Sequence, residues 1–186
     1  MRKKARKDQI GAKQFNLGFD YYDACLADLW ATDAEKEVIC EWMKNPKFFF
    51  LLLGSTGTGK TYLSAALLNY FFDQGDEIYY INSRHFFQAI QEAIKMDQNQ
   101  YGAIKKFIDQ DILILDDIGA GRTTEWQQEM LLELIDGRSE SSKPTIITSN
   151  LSLENIDKTF DFRVHSRLAA KRNLILQRWD KDRRQL

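Results

Sequence analysis

Gly54, Ser55, Thr56, Gly57, Thr58, Gly59, Lys60 and Thr61 follow one another with the spacing G-x-x-x-x-G-K-T. Glycines at the bends leave no Cβ in the way, so backbone N–H groups can curl around phosphate oxygens. A helix opening at the end of such a loop aims its positive N-terminus at the same anion. Lys60 is then placed to reach the β- and γ-phosphates, and the Thr61 hydroxyl to ligate Mg2+. Accident would produce these four fixed positions in fewer than about 1 in 100 chains of this length. The match also follows an apolar, strand-like stretch and precedes a helical pattern, the setting this chemistry requires.

Residues 111–117 (DILILDD) form an apolar stretch that ends in two acids. In an open parallel sheet, ligands gather at the carboxyl ends of the strands, so Asp116 and Asp117 should share a rim with the glycine-rich loop. Asp116 would hold Mg2+ through water, and Asp117 would orient or deprotonate an attacking water. Asn150 ends a further apolar stretch on the same rim. Its amide could donate to a γ-phosphate or to the water, and Ser-Asn after a strand reads equally well as a turn. Arg163 and Arg167 are four apart and share a face of a short helix over 161–168. Either could stabilise charge in phosphoryl transfer, in its own subunit or a neighbour's, or form a surface ion pair. His165 and His85 read as packing or helix-start residues.

These groups need a scaffold. Five apolar stretches, 48–53, 78–81, 112–115, 145–148 and 173–177, predict strands. Most do not alternate apolar with polar, which suggests burial on both faces, as in a parallel sheet. Thr32 and Glu35 form a capping-box pattern that opens a helix towards Met43. Helices are also predicted over 60–72, 84–95, 101–108 and 124–136. The alternation gives an α/β class with helices on both faces of the sheet.

The 186 residues, 44% hydrophobic and 28% charged, suit one folded domain rather than a disordered chain. No apolar run approaches membrane-spanning length. The basic start, MRKKARK, is followed by no apolar segment, so no secretory signal is expected. Two cysteines, Cys25 and Cys40, cannot build a disulfide framework or a four-ligand zinc site alone, and a cytoplasmic setting fits. Residues 1–18 read as a basic flexible arm, and 19–186 as the domain. The net charge of -1 hides an acidic 20–47 segment and a basic 163–186 segment. Such polarity suits nucleic acid, or head-to-tail contact with a second copy.

Taken together, LLLGSTGTGKTYLSAAL, ILILDDIGAGRTTEWQQEMLLELIDGR, PTIITSNLSLENI, FRVHSRL and QRWDKDRR resemble the AAA+ ATPases of the DnaC/DnaI helicase-loader and IstB transposition-helper group. The similarity runs from about Phe19 to Gln185. It implies a P-loop NTPase fold with a five-stranded, mostly parallel sheet, using ATP and Mg2+ and hydrolysing ATP to ADP and phosphate. By the resemblance, Lys60 and Thr61 match Walker A and Asp116 and Asp117 match Walker B. Many relatives have Glu where Asp117 stands, which implies slow turnover. Asn150 matches sensor 1. Arg163 matches the arginine finger, with Arg167 a second candidate. Arg183 matches sensor 2, with Arg184 the other register.

Implied partners are a replicative helicase or a transposase, single-stranded DNA, and further copies of the chain in the ATP state, with no membrane. For DNA, the 84–108 segment offers Arg84, Lys95, Lys105 and Lys106 among Phe86, Phe87, Tyr101 and Phe107. These aromatics suit either a stacking surface or the core. Two departures are expected. About 45 residues precede the first strand, too few for a helicase-gripping domain, and the helical lid is absent or minimal. A nucleotide-gated adaptor with little hydrolysis is therefore an alternative to a loader. The paired acids and Asn150 argue against a small-molecule kinase.

Overall fold

A computed structural model describes residues 17–18, 21–29 and 31–178. Five strands form one sheet in the order β2-β3-β4-β1-β5. They are β1 (Phe49–Gly54), β2 (Ile78–Asn82), β3 (Ile112–Ile118), β4 (Thr145–Ser149) and β5 (Leu174–Arg178). Every pairing is parallel, so the expected mostly parallel sheet is wholly parallel. The helices are α1 (Asp33–Lys44), α2 (Lys60–Gln74), α3 (Ser83–Lys95), α4 (Gln100–Ile108), α5 (Glu125–Glu140), α6 (Leu153–Thr159) and α7 (Phe162–Leu168).

The apolar runs in β1 and β4 exist because both faces of the sheet are covered. Phe49, Leu51 and Leu53 point into a core built with α3 to α7. Phe50 and Leu52 point into a second core built with α1, α2 and residues Leu17, Ala24 and Leu29. All five predicted strands are present; four are displaced by one residue at their ends, and β3 runs three residues further than expected, to Ile118. Helix α6 was not expected from its short, polar sequence; the Ser152 side chain caps it by accepting from the Asn155 N–H at 3.2 Å. The basic run at 2–7, the sensor 2 candidates Arg183 and Arg184, and the place of a lid all lie outside the described residues.

Arg138, on α5, is wholly buried. Its guanidinium donates to the carbonyls of Phe107 (2.9 Å), Ile108 (3.0 Å), Gln110 (2.7 Å) and Pro144 (2.6 Å), and to Thr145 Oγ1 (2.6 Å). It thus satisfies carbonyls at the end of α4, which a helix leaves without partners, and ties them to β4. This clamp fixes the adjoining ends of β3 and β4, the two strands that carry the acids and Asn150. Arg138→Met should leave several buried carbonyls unpaired and destabilise the domain by about 3 kcal/mol or more. Chemical denaturation measures this; a loss under about 1 kcal/mol would show that the clamp is dispensable.

Candidate nucleotide-binding site

The glycine-rich loop begins where β1 meets the end of β5. A Cβ on Gly54 would lie 1.9 Å from the Arg178 carbonyl oxygen, so only glycine fits there. The neighbouring Ser55 N–H donates to that same oxygen at 3.2 Å. Gly57 and Gly59 take positive φ, 83° and 85°, which turns the chain back on itself before α2. Thr58 Oγ1 closes the loop from within by donating to the Ser55 carbonyl at 2.9 Å. Gly59 caps α2 without any side-chain hydrogen bond, which leaves the first-turn N–H groups facing the cavity for an anion.

Lys60 is 8% exposed. Its Nζ donates to the Gly54 carbonyl at 2.7 Å, the Ser55 carbonyl at 2.8 Å and Asn150 Oδ1 at 2.8 Å. Burial pulls its pKa below the ordinary lysine range, while the charges of Asp117 and Asp116 pull the other way. Asn150 Nδ2 in turn donates to Asp117 Oδ1 at 2.9 Å. One amide therefore bridges the lysine of the loop and the second acid of β3.

The two acids share the cavity because β3 is irregular. Leu115 pairs with Ile147 and Ile118 with Ser149, so Asp116 and Asp117 together oppose Thr148 alone. Asp117 adopts φ 60°. In a regular strand, consecutive side chains point to opposite faces; this bulge re-aims them. Thr148 Oγ1 fills the irregularity by donating to Asp116 Oδ1 at 2.6 Å and accepting from the Asp117 N–H at 2.8 Å. Tyr80 OH donates to Asp116 Oδ2 at 2.7 Å, and Ser83 Oγ donates to the Asp117 carbonyl at 2.7 Å. Burial raises the Asp117 pKa and the Asp116 charge raises it further, against the lowering pull of Lys60.

These groups line a cavity of about 870 Å3. One wall holds Thr56, Gly57, Gly59, Lys60, Thr61, Asp116, Asp117 and Asn150. The other holds Tyr21, Asp28, Leu29, Tyr62 and Arg178. The 21–29 segment is fastened to α2 by Asn69 Nδ2, which donates to the carbonyls of Tyr22 (3.2 Å) and Ala24 (2.7 Å). This size, with Tyr21, Leu29 and Tyr62 beside a phosphate loop, suits a nucleotide. Thr61 and Asp116 reach the cavity with a hydroxyl and a carboxylate, hard oxygen donors of the kind Mg2+ takes. Among the described residues, no cluster of three or more His, Cys, Asp or Glu forms a metal cage. A metal that keeps waters and shares phosphate oxygens fits this sparse donor set.

Not every expected residue comes to the cavity. Arg163 is exposed on α7 and pairs with Asp161, Nη2 to Oδ2 at 3.0 Å. Arg167 pairs with Asp136 of α5. Neither lines the cavity that Lys60 lines. The stacking surface expected over 84–108 is largely core: Phe86 and Phe107 are buried and pack on each other at 5.0 Å. Phe87 lies against Trp126, and Tyr101 alone of the four is exposed. Sequence reasoning passed over Tyr80 and Thr148, which read as ordinary strand residues, and Arg178. Arg178 sits at the cavity with its Nε 2.8 Å from Glu35 Oε1, so the capping-box glutamate of α1 also serves the site.

A family model described as "IstB-like ATP binding protein" matches residues 12–170. The replicative helicase loader DnaC of Escherichia coli K12 is 24% identical over 168 residues, covering 89% of this chain and 68% of that protein. An insertion-sequence putative ATP-binding protein of Pseudomonas fluorescens is 31% identical over 140 residues, covering 70% of this chain and 59% of that protein. In fold, the chain resembles a crystal structure of the DnaC helicase loader, with a TM-score of 0.74 and 23% identity, over 86% of this chain and 98% of that one. It also resembles AMPPCP-bound DnaA from Aquifex aeolicus, with a TM-score of 0.74 and 23% identity, over 87% of this chain and 51% of that one. The chain thus spans about half of the DnaA structure. With the loop, the bulged acids and Asn150 on one rim of a parallel sheet, the chain belongs to the IstB-like ATP-binding family and has the AAA+ P-loop fold.

Proposed function

We propose that this chain binds ATP with Mg2+ in the cavity at the end of β1 and hydrolyses it, as a helicase-loader-type protein in DNA replication. The observation that carries the reading is the Lys60–Asn150–Asp117 chain, which joins the start of α2, the end of β4 and β3 across one cavity. The loop N–H groups and Lys60 bind the β- and γ-phosphates. Thr61 and Asp116 would hold Mg2+, which neutralises phosphate charge when bound. Asp117 orients the attacking water and takes its proton, while Asn150 holds that water against the γ-phosphate. Arg163, absent from its own cavity, completes that of a neighbouring copy. Asp117 is one methylene shorter than glutamate and must approach closer, so turnover is slow.

The partner reading follows the relatives: a replicative helicase as for DnaC, with assembly of copies in the ATP state. The transposition-helper reading, with a transposase as partner, is favoured by the insertion-sequence relative, at 31% the more identical of the two. For single-stranded DNA, a second cavity of about 440 Å3 opens on the other side of Asp117, with the exposed Arg84 and Arg122 in its lining. Two cations there suit phosphates and share that cavity's lining with Asp117. No described helix is long and apolar enough to cross a membrane, and a cytoplasmic setting fits this role. The 1–18 arm would add nonspecific phosphate affinity to the 19–186 domain.

Lys60→Ala should abolish ATP binding in a fluorescent-nucleotide titration; unchanged affinity would move the nucleotide elsewhere. Arg163→Ala should still bind ATP but hydrolyse it about 1,000-fold more slowly. Mixing it with Asp117→Asn should restore part of the activity, since each copy then supplies what the other lacks. No rescue at any ratio would count against a shared site. Asp117 must be ionised to act, and its raised pKa means that protonation begins at higher pH than usual. The acid limb of kcat/KM should therefore lie above the ordinary aspartate value near ~3.9, and a limb at that value would remove Asp117 as the base.

A further inference from the structure

Asp116 is 5% exposed, so its carboxylate has left water and depends on neighbours for its hydrogen bonds. It has two hydroxyl partners, one on each oxygen and each from a different flanking strand. Tyr80 of β2 donates to Oδ2 at 2.7 Å. Thr148 of β4 donates to Oδ1 at 2.6 Å. Both bonds run towards Asp116, because a carboxylate only accepts and each hydroxyl has one proton to give; the Thr148 oxygen also accepts the Asp117 N–H at 2.8 Å.

The two bonds stop rotation about the carboxylate's last torsion, which is otherwise broad. Each carboxylate oxygen has capacity for a second partner, and Asp116 also lines the cavity with Thr61. We infer that Tyr80 is a positioning residue for the metal side of the site: with Thr148 it fixes Asp116 so that the carboxylate meets Mg2+ in one orientation. The inference rests on the nucleotide reading above and assigns Tyr80 a part in metal affinity rather than in nucleotide affinity. Outer hydrogen-bond partners of this kind are worth about 10- to 100-fold in metal affinity.

The test is a titration of a fluorescent ATP analogue with Mg2+ present and with the metal chelated, together with the Mg2+ concentration that half-saturates the gain. Tyr80→Phe keeps the ring and removes only the hydroxyl. It should bind nucleotide like wild type without metal, yet need about tenfold more Mg2+. Thr148→Val should move the same way, and Thr148→Ser, which keeps the hydroxyl, should stay near wild type. Should Tyr80→Phe fail to fold, the two Thr148 variants decide the matter. An unchanged Mg2+ midpoint in Tyr80→Phe, or in Thr148→Val where that pair decides, overturns the inference and leaves the ATP site standing. So does an equal loss with and without metal, which marks a purely structural role. Wild-type protein that binds no nucleotide under either condition sinks the nucleotide reading itself.

Discussion

Two consecutive carboxylates cannot face one cavity from a regular strand, because successive side chains alternate between faces. The site therefore depends on the irregularity in β3, where Asp116 and Asp117 oppose Thr148 alone. That geometry has a cost. A residue other than glycine at φ 60° is strained by about 1–3 kcal/mol, and it persists only where its surroundings hold it. Thr148 does much of the holding, since one hydroxyl takes the Asp117 N–H and gives to Asp116. Ser83 secures the Asp117 carbonyl from the next element. The backbone groups freed by the bulge are thus paired, and the strain is kept at the point where it aims a functional side chain.

A second constraint is charge. The cavity is lined by Lys60 and Arg178 as cations against Asp28, Asp116 and Asp117. Lys60 gives its donors to two loop carbonyls and Asn150. Asn150 passes the interaction on to Asp117. A triphosphate entering the loop competes for the lysine and would release Asn150 from it. The same amide can then face phosphate or water with its N–H groups while still touching the acid. On the proposed function, the amide that would face the γ-phosphate is thus hydrogen-bonded to the acid that would activate the water. This gives a physical route from phosphate occupancy to the position of the base.

Local chemistry was legible in the sequence; what depends on a non-local neighbour was not. The glycine-rich loop declares itself because eight contiguous residues carry the whole geometry. Strands β1, β3 and β4 were legible because burial on both faces leaves no alternation to confuse them with surface. The bulge was invisible, since nothing in ILILDDI says that its partner strand advances by one residue fewer. Tyr80 and Thr148 looked like strand filler for the same reason: their meaning comes from Asp116, which lies 36 and 32 residues away in the chain. Arg178 was counted only as part of a basic tail, although it is buried against Glu35 at the mouth of the loop. The aromatics of 84–108 misled because helical spacing cannot tell a buried face from a stacking one, and Phe86 and Phe107 proved to be core.

The placement of the arginines follows from the same sheet. The cavity lies at the carboxyl ends of β1, β3 and β4, whereas α7 packs with α5 and α6 on one side of the sheet. Arg167 on α7 is held against α5 by Asp136, away from the cavity lining. Arg163 is exposed and pairs with the half-buried Asp161 beside it, a surface ion pair that solvent screens. So weak a restraint is readily exchanged for a phosphate, which offers a guanidinium more charge at shorter range. A chain built this way carries a nucleotide pocket on one edge and a loosely held cation on another. On the function proposed above, both would act together where a second copy brings its α7 to the first copy's pocket.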